Sequence, residues 1–241
     1  MSSRPTTTRS VWAVIPAAGS GSRMGAEIPK QYLSVCGRPL AEHTLTALLS
    51  VPSIVSVRVA LSVNDAHWDR VDAAIRNRVQ RVTGGDSRAH SVLAGLQSLH
   101  DCAADDDWVL VHDMARPCIS VAAIERMIAT LDNDPVGGLL AIPVVDTLKR
   151  SDADERVVET VARETLWQAQ TPQLFRYKTL LDALAAGLER GVPITDEASA
   201  IELHGLQPKL VHGDAENMKV TVPGDLMRVE QILRSRWGGA I

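Results

Sequence analysis

Through the first half of the chain, short runs of β-branched and aliphatic residues alternate with segments of helical periodicity, and few folds tolerate that alternation. A strand buried on both faces reads as an apolar run, and the helix after it carries the chain back across the sheet, so successive strands come out parallel. The runs fall at residues 11–15, 55–61, 79–83, 108–111 and 139–142. Helical spacing fills 40–49, 66–78 and 87–99, and Ser120 precedes a helix whose Val121, Ile124, Ile128 and Leu131 share one face. The expectation is an α/β, Rossmann-like fold: one mostly parallel, twisted sheet flanked by helices.

After Pro143 the alternation stops. Residues 144–161 are charged, with β-like runs on either side of a polar turn at 151–155, and read as a protruding β-hairpin arm spanning about 144–166. Beyond it, 177–188 and 196–204 read as helices, the second opened by Thr195. Leu226, Val229, Leu233 and Trp237 form one face of a closing helix, and the polar residues 1–10 read as a frayed tail. The expected organisation is a single domain over 1–241.

Composition excludes several classes. At 241 residues and 45% apolar, the chain can bury a core without metal or disulfide staples. A net charge of -4 argues against nucleic acid as the main partner, so any anionic ligand has to be held by a few local cations. Cys36, Cys102 and Cys118 show no C-x-x-C spacing, which suits a reducing, cytoplasmic location. Arg4 and Arg9 precede an apolar run, but Pro16 interrupts it, which argues against a secretory signal. The longest apolar stretch, 136–145, is interrupted by glycine and proline and is too short to span a membrane.

The segment PAAGSGSRMGAEIPK, 16–30, directly follows the first strand, where ligands of an open parallel sheet bind. Gly19, Gly21 and Gly25 let main-chain N–H groups approach a phosphate, and Arg23 and Lys30 add positive charge. A dinucleotide fingerprint fits poorly, because the third glycine falls one place late and no acidic residue closes the second strand. A P-loop is excluded by the absence of Gly-Lys-Ser/Thr after the glycines.

The pattern A-A-G-x-G-x-R-M followed by P-K resembles the loop of nucleotidyltransferases that activate sugars and polyols. GGDSRAHSV (84–92), VHDMARPC (111–118), DTLKR (146–150), QTPQLF (170–175), ITDEASA (194–200) and NMKVTVPGDL (217–226) then follow in order. With these segments the chain resembles, over nearly its whole length, the 2-C-methyl-D-erythritol 4-phosphate cytidylyltransferase family of the non-mevalonate isoprenoid pathway. The resemblance implies the fold of the nucleotide-diphospho-sugar transferases. It also implies transfer of CMP from CTP to 2-C-methyl-D-erythritol 4-phosphate, a divalent cation such as Mg2+, and a homodimer in which the arm of one chain completes the other's site.

Residue by residue, the resemblance makes Arg23, Lys30 and Lys219 the catalytic cations, and gives cytosine and ribose to Pro16, Ala17, Ala18, Gly19, Gly84, Gly85, Asp86 and Ser91. Asp113 would bind the acceptor and lie near the metal, through water. Arg116, Thr147, Arg163, Thr171 and Thr195 would complete acceptor binding. Met114 stands where the family has alanine, in a loop approaching the nucleotide. His112 reads as a hydrogen-bonded structural residue, with no metal-spaced partner. A cytidylyltransferase for another polyol phosphate, such as ribitol 5-phosphate, would share the nucleotide half. A regulatory nucleotide-binding domain would have no use for three distant cations acting together.

Overall fold

The structure, a computed structural model, describes residues 10–19 and 28–236. Arg23, Gly21, Gly25, Trp237 and the tail at 1–9 lie outside the described residues. Seven strands form the central sheet in the order β11-β7-β10-β6-β1-β4-β5. These are β1 (Val11–Pro16), β4 (Ile54–Leu61), β5 (Gln80–Thr83), β6 (Trp108–Val111), β7 (Gly137–Pro143), β10 (Trp167–Arg176) and β11 (Lys209–His212). β1 pairs in parallel with both β4 and β6, β4 with β5, and β11 with β7, whereas β10 runs antiparallel to β6 and β7. The mostly parallel sheet expected from the alternation is present, with one reversed strand inside it.

Helices cover both faces. One apolar cluster joins Ala13, Ile15, Val57 and Val59 to α1 (Leu40–Leu49) and α4 (Val121–Leu131). A second joins Val14, Val109, Val111 and Phe175 to α3 (Arg88–Gln97), α5 (Tyr177–Glu189) and α6 (Glu197–Leu203). The successive residues Ala13, Val14 and Ile15 thus face opposite layers in turn and are fully buried, as a strand covered on both sides requires. A smaller cluster seats α7 (Gly224–Arg236) against a hairpin of β2 (Ser34–Val35) and β3 (Arg38–Pro39). Among the described residues no helix is long and apolar enough to cross a membrane.

Two local expectations are corrected. Residues 66–78 are not one helix but a 3-10 turn, Trp68–Arg70, and a single α turn, α2 (Ala73–Arg76). Short acidic side chains divert the backbone there: Asp65 accepts from His67 N at 2.9 Å, and Asp72 accepts from Ala74 N at 2.7 Å while its own N–H donates to Glu42. The helix over 196–204 is capped by Asp196, not opened by Thr195; Asp196 and Ser199 form a reciprocal capping box. Strand β10 has no counterpart in the sequence reading, because Pro172 argues against a central strand. Its pairing with β7 slips between Ala169 and Gln173, and the proline sits in that irregularity after a cis Thr171–Pro172 peptide bond.

The arm is a separate two-stranded sheet, β8 (Leu148–Ser151) against β9 (Val157–Val161). It leaves Val145, Val157 and Val158 at 75%, 63% and 62% exposure.

Candidate active site

The chain runs from β1 outward to β4 and β5, then returns to place β6 on β1's other side. Such a reversal splays the loops after the two central strands and opens a crevice at their carboxyl ends. A cavity of about 360 Å³ lies there. Its described wall includes Pro16, Ala17, Ala18 and Gly19 after β1, and Gly85, Asp86, Ser87, Arg88 and Ser91 around the start of α3. Asp113, Met114 and Ala115 contribute after β6, Lys30 and Gln31 from the 3-10 turn Lys30–Tyr32, and Lys219 and Thr221 from the segment before α7.

Each wall segment is pinned by its own sequence. Buried Gln31 donates from Nε2 to the Ala17 carbonyl at 3.0 Å, fixing the exit of β1. Gly84 donates its N–H to Leu61 O at 2.7 Å, and any Cβ on it would stand 2.7 Å from Ala18 Cβ and 2.9 Å from Ser91 Oγ, so only glycine lets these loops approach. The buried Ser91 hydroxyl bonds Gly85 and the Ser87 carbonyl and thus shapes the loop rather than pointing freely into the cavity. Asp86 is exposed at the rim. Met114 is buried, belongs to the apolar cluster beneath the cavity, and accepts from Thr44 Oγ1 at its carbonyl, 2.8 Å away. Its thioether therefore serves as both core and cavity floor.

Lys30 and Lys219 converge although 189 positions apart in sequence: Lys30 Nζ donates to Val220 O at 3.0 Å, beside Lys219. Lys219 Nζ is 2.7 Å from Asp113 Oδ2. The other carboxylate oxygen, Oδ1, accepts from Arg88 Nε at 2.9 Å, and Arg116 Nε lies 3.7 Å from Oδ2. Burial favours the neutral acid, yet Arg88, Lys219 and Arg116 together hold the Asp113 carboxyl well below the usual carboxylate range. Asp113 is thus ionised in the wall of a cavity that also carries Lys30, Arg88 and Lys219, with Asp86 at its rim.

The loop behind Asp113 is locked by buried hydrogen bonds. Asp113 N–H donates to Thr171 Oγ1 at 3.0 Å, Thr171 Oγ1 lies 2.9 Å from His112 Nδ1, and His112 Nε2 lies 3.2 Å from Arg116 O. Asn217 Nδ2 donates to Thr171 O at 2.7 Å, and Arg116 Nη1 donates to Asn217 O at 2.7 Å, which ties this loop to the segment carrying Lys219. Arg116 and Thr171 are therefore engaged inside the chain, behind the cavity wall. Thr147, Arg163 and Thr195 are exposed, and none of the three lines the cavity of its own chain. Arg163 Nη1 donates to Val145 O at the base of the arm.

Two residues of the cavity wall escaped the sequence reading. Arg88 stands inside the GGDSRAHSV segment, but its partners are 25 and 109 positions away and nothing local marks them. Gln31 lies between Lys30 and Tyr32, and nothing local marks it as the donor to the Ala17 carbonyl 14 positions earlier.

Residues 11–235 match the family described as 2-C-methyl-D-erythritol 4-phosphate cytidylyltransferase. A protein of that name from Dechloromonas aromatica (strain RCB) is 55% identical over 227 residues, covering 93% of this chain and 98% of that one. The crystal structure of a 4-diphosphocytidyl-2C-methyl-D-erythritol synthase superposes with a TM-score of 0.81 at 40% identity, over 93% of this chain and 98% of the other. That of the Francisella tularensis 2-C-methyl-D-erythritol 4-phosphate cytidylyltransferase gives 0.80 at 32% identity, over 92% and 99%. Likeness of sequence and of fold over almost the full length of both partners places the chain in the 2-C-methyl-D-erythritol 4-phosphate cytidylyltransferase family.

Proposed function

We propose that the chain transfers CMP from CTP to 2-C-methyl-D-erythritol 4-phosphate, giving 4-diphosphocytidyl-2-C-methyl-D-erythritol and pyrophosphate. One observation carries this reading beyond family membership: Lys30 and Lys219 meet at one cavity, at the carboxyl ends of β1 and β6, with the ionised Asp113 held beside them in its wall by Lys219 and Arg88.

An oxygen of the acceptor phosphate attacks the α-phosphorus of CTP, and the bond from that phosphorus to the bridging oxygen breaks, with its electron pair leaving on pyrophosphate. The nucleophile is already an anion, so no general base is required. The barrier lies in bringing two negative groups together, and catalysis is positioning plus charge neutralisation. In this scheme Lys30, with Arg23, clamps the triphosphate, and Lys219 reaches the α-phosphate from the segment whose Val220 carbonyl holds Lys30. Lysine keeps three N–H donors, so the Asp113 contact leaves Lys219 able to serve a phosphate as well.

Cytosine and ribose would occupy the pinch between Ala17, Ala18 and Gly19 on one side and Gly84, Gly85, Asp86 and Ser91 on the other, over Met114. Asp113 would orient an acceptor hydroxyl. Arg116 and Thr171 would act by fixing the Asp113 loop to which their polar groups are bonded.

Magnesium suits this donor set in one manner. Among the described residues no cluster of three or more candidate ligands forms a cage, and the Asp113 oxygens already receive cations. Substrate phosphates would supply most ligands, with Asp113 holding a bound water, which is how a reluctantly dehydrated ion is usually kept. The ion would neutralise phosphate charge.

The enzyme would act as a homodimer. Exposed valines on the arm, and the positions of Thr147 and Arg163 on or beside it, suit an arm that reaches a second copy's cavity. Arg163 would then bind the acceptor phosphate through its planar fork. Three free cysteines, one of them exposed, suit a reducing cytoplasm.

The test is pyrophosphate release by the purified protein from CTP and magnesium, expected only when 2-C-methyl-D-erythritol 4-phosphate is added. Equal turnover with ribitol 5-phosphate would move the chain to another acceptor class.

A further inference from the structure

Glu197 is fully buried, and its carboxylate has a bidentate partner in Arg88, with Nη1 2.7 Å from Oε1 and Nη2 3.0 Å from Oε2. The third donor of the same guanidinium, Nε, is spent on Asp113. Glu197, Arg88, Asp113 and Lys219 therefore form a chain of alternating charge that starts inside the protein, at the first turn of α6, and ends at the cavity. Arg88, Asp113 and Lys219 line the cavity and Glu197 does not.

Two helix starts meet at this pair, and both are independently capped: Ser87 accepts from His90 N for α3, and Asp196 accepts from Ser199 N for α6. The buried carboxylate is thus not needed to cap either helix. A buried ion pair is weak support for stability when compared with neutral side chains of similar size. What it supplies here is direction: the planar fork of Arg88, gripped at two nitrogens from behind, can present Nε to Asp113 in one orientation only.

We infer that Glu197, acting through Arg88, is a positioning residue that holds Asp113 toward the acceptor hydroxyl and, through Asp113, Lys219 toward the reacting phosphates. The inference rests on the reading of the cavity given above. Glu197 has a second effect. Arg88 faces a cavity that receives a triphosphate, and a guanidinium released from Glu197 would bind phosphate itself and leave Asp113 unheld. Loss of the pair therefore lowers turnover without weakening CTP binding.

Glu197→Gln keeps the Arg88 guanidinium in the cavity wall and weakens its grip from behind, whereas Glu197→Asp keeps the charge and shortens the carboxylate's reach. Both are expected to fold, to lose about 100-fold in kcat from misplacement of the reacting groups, and to keep the KM for CTP within about threefold while that for the acceptor rises. Wild-type kcat in either variant overturns the inference. So does a loss that vanishes when rates are expressed per folded molecule, since that is all a structural ion pair would produce. Wild-type protein assayed alongside separates the two levels: its failure to turn over would sink the functional reading, whereas active wild type with equally active variants sinks only the positioning role.

Discussion

The imidazole of His112 has no exposed surface, and its two nitrogens divide their work. The Arg116 carbonyl can only accept, so Nε2 carries the proton and Nδ1 accepts from the Thr171 hydroxyl, leaving that oxygen to receive the Asp113 N–H. A second proton on the ring would break this chain. Burial pushes the His112 pKa down to about 4, against the pull of Asp113. The groups facing the ring are Asp113, Arg116 and Thr171. Because the folded pKa lies below the unfolded one, the unfolded chain binds more protons between about pH 4 and 6.5, and stability falls as pH drops through that window. The loss from this residue amounts to about 3 kcal/mol at most. Burial lowers the His43 pKa too, so its contribution has the same sign. Urea unfolding at intervals from pH 4.5 to 7.5 should show the slope, and His112→Gln should be less stable at neutral pH with a flatter dependence. Parallel wild-type and variant curves would reject this assignment. His112 was legible as a hydrogen-bonded residue because a lone histidine after an apolar strand has nothing else to do. The Arg88–Glu197 pair was not legible, since its partners lie in segments that only the fold brings together.

At the scale of elements, strands buried on both faces were readable because a sheet covered on both sides calls for continuous apolar runs such as residues 11–15 and 108–111. β10 was hidden because its glutamines and proline look like a loop, yet those residues do structural work. Gln173 joins the sheet to α6 by donating to Asp196 and accepting from Ala198 N, and Gln170 donates to Asp214 O. The segments that carry the cavity were found as motifs, but motif reading does not say how closely two loops approach. Gly84 shows the limit. It lies in an ordinary turn by sequence, whereas in space it is the contact point between the β1 exit and the β5–α3 loop. Gly84→Ala has to push Ala18 and Ser91 outward by several tenths of an ångström, and both belong to the proposed nucleotide pocket. The expected result is a KM for CTP raised about tenfold, a misplacement worth about 1.4 kcal/mol, with the acceptor KM nearly unchanged. Equal increases for both substrates would show that this pinch does not belong to the nucleotide side.

The whole molecule leaves one mismatch to resolve. Cations and Asp113 converge in the cavity, but Arg163 and Thr147, expected to bind the acceptor, stand exposed outside the wall of their own chain's cavity. If a second copy supplies them, each working site is built from two chains, and two inactive variants can rescue each other. Lys219→Ala disables the cavity, whereas Arg163→Ala disables only the arm. In a hybrid dimer one site combines both defects, but the other has an intact Lys219 from one chain and an intact Arg163 from its partner. Random mixing makes about half the dimers hybrid, each with one good site of two, so a mixture should recover about a quarter of wild-type activity. Sedimentation should show a dimer throughout, and recovery should require time for subunits to exchange. A mixture no more active than the sum of its parts would mean that arm and cavity work within one chain or not at all, and would remove the two-chain site from the mechanism.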